Sequence, residues 1–192
     1  MHKLINIWRL FLTQTFWKAK FKKLGYRTII YKPLLIRNPQ RISIGNNSHI
    51  RNLSRIEVIH RPHLGWDANL NIGSNVFIEQ GAHIVCQGSI TIEDNVAIAA
   101  FCSIVDTYHP HEIPNTNINL GSLLPQNFSS VFIGEGTFLG VNCVILPNVR
   151  IGKGCIIGAG SVVNKDIPDF SIVSGPVAQI ISKYNPQREK WE

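Results

Sequence analysis

With 192 residues, the chain is long enough for one domain with a substantial core and too short for two generous ones. No run reaches the roughly 18 to 20 apolar residues that a membrane span needs, and the four cysteines lack the CxxC or paired-histidine spacing of a zinc site. The net charge of +7 is unevenly placed: no Asp or Glu precedes Glu57, whereas 12 of the 19 Lys and Arg do, which points to an anionic partner such as a nucleic acid, a membrane surface or a phosphorylated small molecule.

The segment 1–35 opens the chain. Leu4, Ile7, Trp8, Phe11 and Leu12 recur at three- and four-residue steps, the period of one helix face, and predict an amphipathic helix. Lys18, Lys20, Lys22, Lys23 and Arg27 then form a basic end. Two readings of this segment stay open: a helix packed on the main domain, or one lying on an anionic membrane with its aromatic residues inserted. Arg9 interrupts the apolar run and no small-residue cleavage site follows, which argues against a signal peptide. A cytoplasmic protein, peripheral to the membrane under the second reading, is expected. Nucleic-acid binding is disfavoured, because the basic residues carry no recognisable motif.

A repeat governs residues 36–181. Ile133, Leu139, Ile145, Ile151, Ile157 and Val163 follow one another at six-residue steps, and the same step links Ile44, Ile50 and Ile56, then Ile72, Ile78 and Ile84, then Ile92, Ile98 and Ile104. Four residues after most of these stands a small or β-branched residue, among them Ser48, Val76, Cys102, Cys143 and Cys155, so the cysteines read as core filler. A period of six is incompatible with an α-helix and suits a chain that makes a short strand, turns and repeats, three hexads closing one triangular coil. Coil starts at Ile44, Ile72, Ile92, Ile133 and Ile151 leave their longest interval after Ile104, which predicts an excursion at about 106–130. Residues 182–192 read as a C-terminal tail.

"IGEGTFLGVNCVILPNVRIGKGCIIGAGSVVNKDIP" resembles the hexapeptide-repeat acyltransferases, and "SITIEDNVAIAAFCSIVDTYHPHE" resembles the active-site segment of the galactoside and maltose O-acetyltransferases and of the acetyltransferases of bacterial surface polysaccharides. The resemblance implies a left-handed parallel β-helix, a homotrimer with clefts between subunits, and acetyl-CoA as acyl donor without a required metal. It selects His109, directly before Pro110, as the catalytic base, with Glu79 or Asp106 as its carboxylate partner and His111 as a substrate contact. "GAGSVVNKDIP" resembles the segment lining the groove for the pantetheine arm, which nominates Gly140, Ala159, Gly160 and Lys165.

The chemistry supports a histidine independently. Acyl transfer from a thioester to an alcohol requires a base that takes the hydroxyl proton at neutral pH and returns it to the departing thiolate, and imidazole does both. Glu79 falls early in its coil and His109 late in the next, so regular coils put them near different corners; either the excursion bends His109 back or a carboxylate from a neighbouring subunit joins the site, with Asp106 as the local fallback. The leading expectation is sugar O-acetylation in surface-polysaccharide synthesis. Transfer to an amino sugar, a γ-type carbonic anhydrase using His83, His109 and His111, and a non-catalytic scaffold are the alternatives.

Overall fold

The computed structural model describes residues 2–110, 117 and 119–192. Among them the fold is mostly β, with an N-terminal α-helix over His2–Leu12 and three sheets of parallel strands. The first sheet collects Lys23–Leu24, Ile42–Ile44, Asn69–Ile72, Ser89–Ile92, Ser130–Ile133 and Val149–Ile151. The second takes Ile29–Ile30, His49–Ile50, Phe77–Ile78, Ala97–Ile98, Phe138–Leu139, Ile156–Ile157 and Ser171–Ser174. The third takes Leu35–Arg37, Arg55–Val58, His83–Cys86, Ser103–Val105, Val144–Ile145 and Val162–Val163. The chain visits the three in rotation, so each strand lies beside the one a circuit earlier.

The hexad pattern becomes three inward columns. Ile44, Ile72, Ile92, Ile133 and Ile151 are in register in the first sheet. Ile50, Ile78, Ile98, Leu139 and Ile157 align in the second, and Ile56, Ile84, Ile104, Ile145 and Val163 in the third. All are at most 3% exposed, and each contributes roughly 1.5–3 kcal/mol of burial. At the corners after the first sheet, Asn47, Asn75 and Asn95 take φ values of 55°, 56° and 61°, a left-handed conformation that Asn tolerates through its short polar side chain.

The small-residue layer is buried as well, and its hydroxyls serve the corners. Ser48 Oγ donates to Gly73 O (2.9 Å) and accepts from Val76 N (3.0 Å); Thr137 Oγ1 donates to Gly152 O (2.8 Å) and accepts from Cys155 N (3.1 Å). These positions thus satisfy backbone groups that the tight corners leave over. Cys86, Cys102, Cys143 and Cys155 are buried free thiols.

The coil begins earlier than residue 36. Leu24, Ile30 and Ile36 pair with Ile44, Ile50 and Ile56, adding a circuit whose six-residue step is present in the sequence among lysines and arginines that face outward. At the other end Gln179–Asn185 folds back antiparallel on Ser171–Ser174 and pairs with Lys190–Trp191, so a strand crosses residue 182. Between Val105 and Ser130 none of the described residues belongs to a strand of the coil.

Candidate active site

The excursion folds back over the outer face of the third sheet. One outward row there is Arg55, His83 and Ser103, in register; the next is Glu57, Val85 and Val105. After Val105 the chain turns out, and Thr107, Tyr108 and His109 form one wall, with Gly121 and Leu124 from the returning limb. Together with Ile59 these groups line a cleft of about 380 Å³.

Asp106 anchors the departure. It is buried, and its carboxylate accepts from Gln87 N (2.5 Å) and Gly88 N (2.9 Å). Burial pushes its carboxyl above the ordinary range, and the N–H donors of Gln87 and Gly88 partly offset that rise. Gln87 ties both limbs together: its Nε2 donates to Pro125 O (2.8 Å) and its Oε1 accepts from Thr107 Oγ1 (3.2 Å). Arg61 Nη1 donates to Pro125 O (3.2 Å), and Trp66 packs edge-on against Phe128. A loop held at so many points can present a side chain in one geometry.

That side chain is His109. Its Nδ1 lies 2.8 Å from the carbonyl oxygen of Leu123. A carbonyl oxygen only accepts, so Nδ1 carries the proton, and Nε2 of the neutral ring has a free lone pair.

Glu57 is the carboxylate inside the cleft. Its side chain is 4% exposed and bonded to Arg55 (2.6 Å) and Arg37 (2.8 Å). Burial raises its carboxyl, but the hydrogen bonds from Arg55 and Arg37 outweigh that and hold it below the ordinary range. His83 stands on the floor next to Arg55, its Nε2 buried with no hydrogen-bond partner among the described residues. Burial, and then the Arg55 charge, push the His83 imidazole down, so it is neutral at pH 7.

The other sequence candidates divide between this cleft and elsewhere. Asp106 lies at the cleft's edge but spends its oxygens on the Gln87 and Gly88 amides. Glu79 stands outside, at the corner between the second and third sheets, 3.6 Å from the Arg51 guanidinium. Gly140 occupies the same corner two circuits on, against Ala159: a Cβ on Gly140 would come within 2.7 Å of Ala159 N. Gly160 follows there with φ +69° and open space beside it. Lys165 is exposed beyond the next strand, Val162–Val163. His111 lies outside the described residues. Among those described, no group of three or more His, Cys, Asp or Glu could hold a metal ion.

Sequence reasoning missed the roles open to Glu57, Gln87 and the Leu123 carbonyl. Glu57 could have been found by carrying the hexad count to the outward residue after Ile56. The Leu123 carbonyl leaves no trace in side-chain chemistry.

Comparison with known proteins agrees with this architecture. Residues 130–165 match the family model described as bacterial transferase hexapeptide (six repeats). The chain is 32% identical over 168 residues to the protein assigned in Escherichia coli (strain K12) to lipopolysaccharide biosynthesis as the O-acetyl transferase WbbJ, covering 85% of this chain and 83% of that one. The galactoside O-acetyltransferase of the same organism is 34% identical over 131 residues, 67% of this chain and 61% of its own length. The N-acyltransferase AntD of Bacillus cereus, solved with dTDP-4-amino-4,6-dideoxyglucose and coenzyme A, superposes with a TM-score of 0.74 at 23% identity, over 92% of this chain and 91% of that one. The chain belongs to the bacterial hexapeptide-repeat transferase family. It is an acyltransferase.

Proposed function

We propose that the protein is an acetyl-CoA-dependent O-acetyltransferase acting on a sugar hydroxyl in surface-polysaccharide synthesis, built on a left-handed parallel β-helix, with His109 as general base. The observation that carries this reading is the Nδ1 contact with Leu123 O in a residue that lines the cleft, which leaves Nε2 as the proton acceptor. His109 Nε2 takes the proton of the acceptor hydroxyl as its oxygen adds to the thioester carbonyl. When the C–S bond breaks, the same nitrogen returns the proton to the thiolate, so an acetyl ester and free CoA thiol leave and His109 ends neutral. The Leu123 carbonyl supports the imidazolium in between, as a carboxylate does in a serine-protease triad.

The proposed donor strip runs along the corner of Gly140, Ala159 and Gly160: Gly140 lets the Ala159 turn pack close, and the open space beside Gly160 would let a thin pantetheine chain lie against backbone, with Lys165 available to phosphate. A homotrimer is supported by the exposed column Phe77, Phe138 and Ile156 on the outside of the second sheet, an apolar strip suited to subunit contact. A neighbouring subunit is also the route by which a Glu79 could reach His109, and His111 remains a candidate substrate contact. Because acetyl-CoA is a cytoplasmic metabolite, the enzyme would work in the cytoplasm. Transfer to an amine needs the same base, and the AntD fold likeness makes amino sugars the second acceptor class to try.

The test is thiol release from acetyl-CoA across neutral and amino sugars, free and nucleotide-linked, for wild type and His109→Ala. Acceptor-dependent release that the variant loses is expected. Release no faster than hydrolysis with every acceptor overturns the assignment.

A further inference from the structure

The N-terminal helix packs on its own coil through the wrong face for an amphipathic helix. Arg9 Nη1 donates to Tyr31 O (3.0 Å), Tyr31 Oη donates to Asn6 Oδ1 (3.3 Å), and Thr13 Oγ1 accepts from Ile30 N (2.9 Å). Gln14 Nε2, in the π-helical turn Thr13–Trp17 that extends the helix, donates to Gly25 O (3.0 Å) and Thr28 O (3.2 Å). Half a turn round the helix, Ile7, Trp8 and Phe11 are 64%, 58% and 57% exposed, and Phe16 follows at 52%. Trp8 and Phe11 stack on each other at 5.9 Å. A helix of a soluble domain ordinarily buries its apolar stripe and leaves its polar side to water, and this one does the reverse.

We propose that this face docks the protein on an anionic membrane surface. The charge around the patch selects that occupant. Lys18, Lys20, Lys22, Lys23 and Arg27 are all exposed at its end, and no acidic residue precedes Glu57. Lys20 Nζ lies 4.0 Å above the Phe16 ring, which sets a cation at the edge of the aromatic surface. An interfacial anchor needs that pairing: rings at the acyl boundary and ammonium groups at the level of lipid phosphates. A second copy laid face to face on the same patch would bring two sets of five cations together, which disfavours a self-contact. The helix lies on the surface and does not cross it, since no described helix is long and apolar enough to span.

The proposal is independent of the catalytic reading, because vesicle binding is measured without acetyl transfer. Full-length protein is co-sedimented with vesicles of mixed phosphatidylglycerol and phosphatidylcholine, and with phosphatidylcholine alone, at low and high salt. Binding to the anionic vesicles that weakens with salt is expected, about tenfold or more weaker in the double variant Trp8→Ser/Phe11→Ser and in Lys18→Glu/Lys20→Glu. Circular dichroism and the thermal midpoint check that each variant folds, and the charge variant carries the test if the aromatic one does not. No sedimentation with anionic vesicles, or sedimentation that neither variant weakens, overturns the proposal. So does a wild type that ignores vesicles while Trp8→Ser/Phe11→Ser elutes as a smaller species, because the face would then be a subunit contact.

Discussion

His109 Nδ1 lies 2.8 Å from the carbonyl oxygen of Leu123, on the opposite limb of the same excursion. Nitrogen-detected NMR should therefore find the neutral ring as the Nδ1–H tautomer. His109→Ala should lower kcat by about 10²–10⁴, the usual yield of a positioned general base, with little change in KM. The ring is exposed, so the melting midpoint should hardly move. A variant that keeps wild-type kcat with a good acceptor would remove His109 from the mechanism.

Asp106 offers a contrast, since geometry makes it a clamp for the loop. Asp106→Ala leaves the buried amides of Gln87 and Gly88 without their acceptor, and a loss of roughly 1–3 kcal/mol in unfolding free energy is expected. Activity should fall with it, because the same amides fix where the excursion starts. The pH dependence has a definite sign. Burial raises the folded pKa above the ordinary 3.8, so the cost of the buried charge is fully present above the folded value and is relieved as pH falls through it. Chemical denaturation of wild type and variant at several pH values reads both effects, and a variant of unchanged stability would contradict the clamp.

How much of this was legible in the sequence depended on which atoms carry the information. The inward columns were, because each is one large aliphatic side chain recurring every six residues. The first circuit obeys the same step at Leu24, Ile30 and Ile36, but it sits among cations and behind an amphipathic segment that draws the eye to a helix. Outward pairs were legible only by counting: Glu57 follows Ile56 as Val105 follows Ile104, so both face the same side of the third sheet. The contact that defines the base was not legible at all, since any residue at position 123 supplies a carbonyl. The face by which the N-terminal helix docks was likewise hidden, because periodicity identifies an apolar stripe without saying what it meets.

Glu57 should behave as an ionised strut. Its folded pKa lies below the ordinary 4.5, so its ion pairs stabilise the fold above that pH and the contribution is lost as pH falls through the folded value. Glu57→Gln should cost roughly 1.5 kcal/mol, near the low end for charged hydrogen bonds because Arg37 and Arg55 both reach solvent. The same pairing bears on metal chemistry. Both Glu57 oxygens face guanidinium groups, a setting that repels a cation beside His83 and His109. Exhaustive dialysis against a chelator should leave acetyl transfer unchanged, and loss of activity restored by one added metal would return the anhydrase-like reading to contention.

Gly140 gives the sharpest test of the donor corner. A Cβ there would come within 2.7 Å of Ala159 N and 2.9 Å of Ala159 Cα, both backbone atoms that cannot swing aside. Gly140→Ala must push the Ala159–Gly160 turn outward, into the strip where the pantetheine arm is proposed to lie. The expected result is a rise of about tenfold in the KM for acetyl-CoA, the order of effect of one misplaced methyl group, with the acceptor KM little changed. Gly136→Ala makes the control, at a corner between the first and second sheets and away from the donor strip: its Cβ meets nothing, but φ +69° is strained for alanine by roughly 1–2 kcal/mol, so it should lower stability and leave acetyl-CoA binding closer to wild type. Steady-state kinetics in both substrates, with thermal melts of each variant, separate the two effects. Equal KM values for acetyl-CoA in wild type and Gly140→Ala would move the donor site away from this corner.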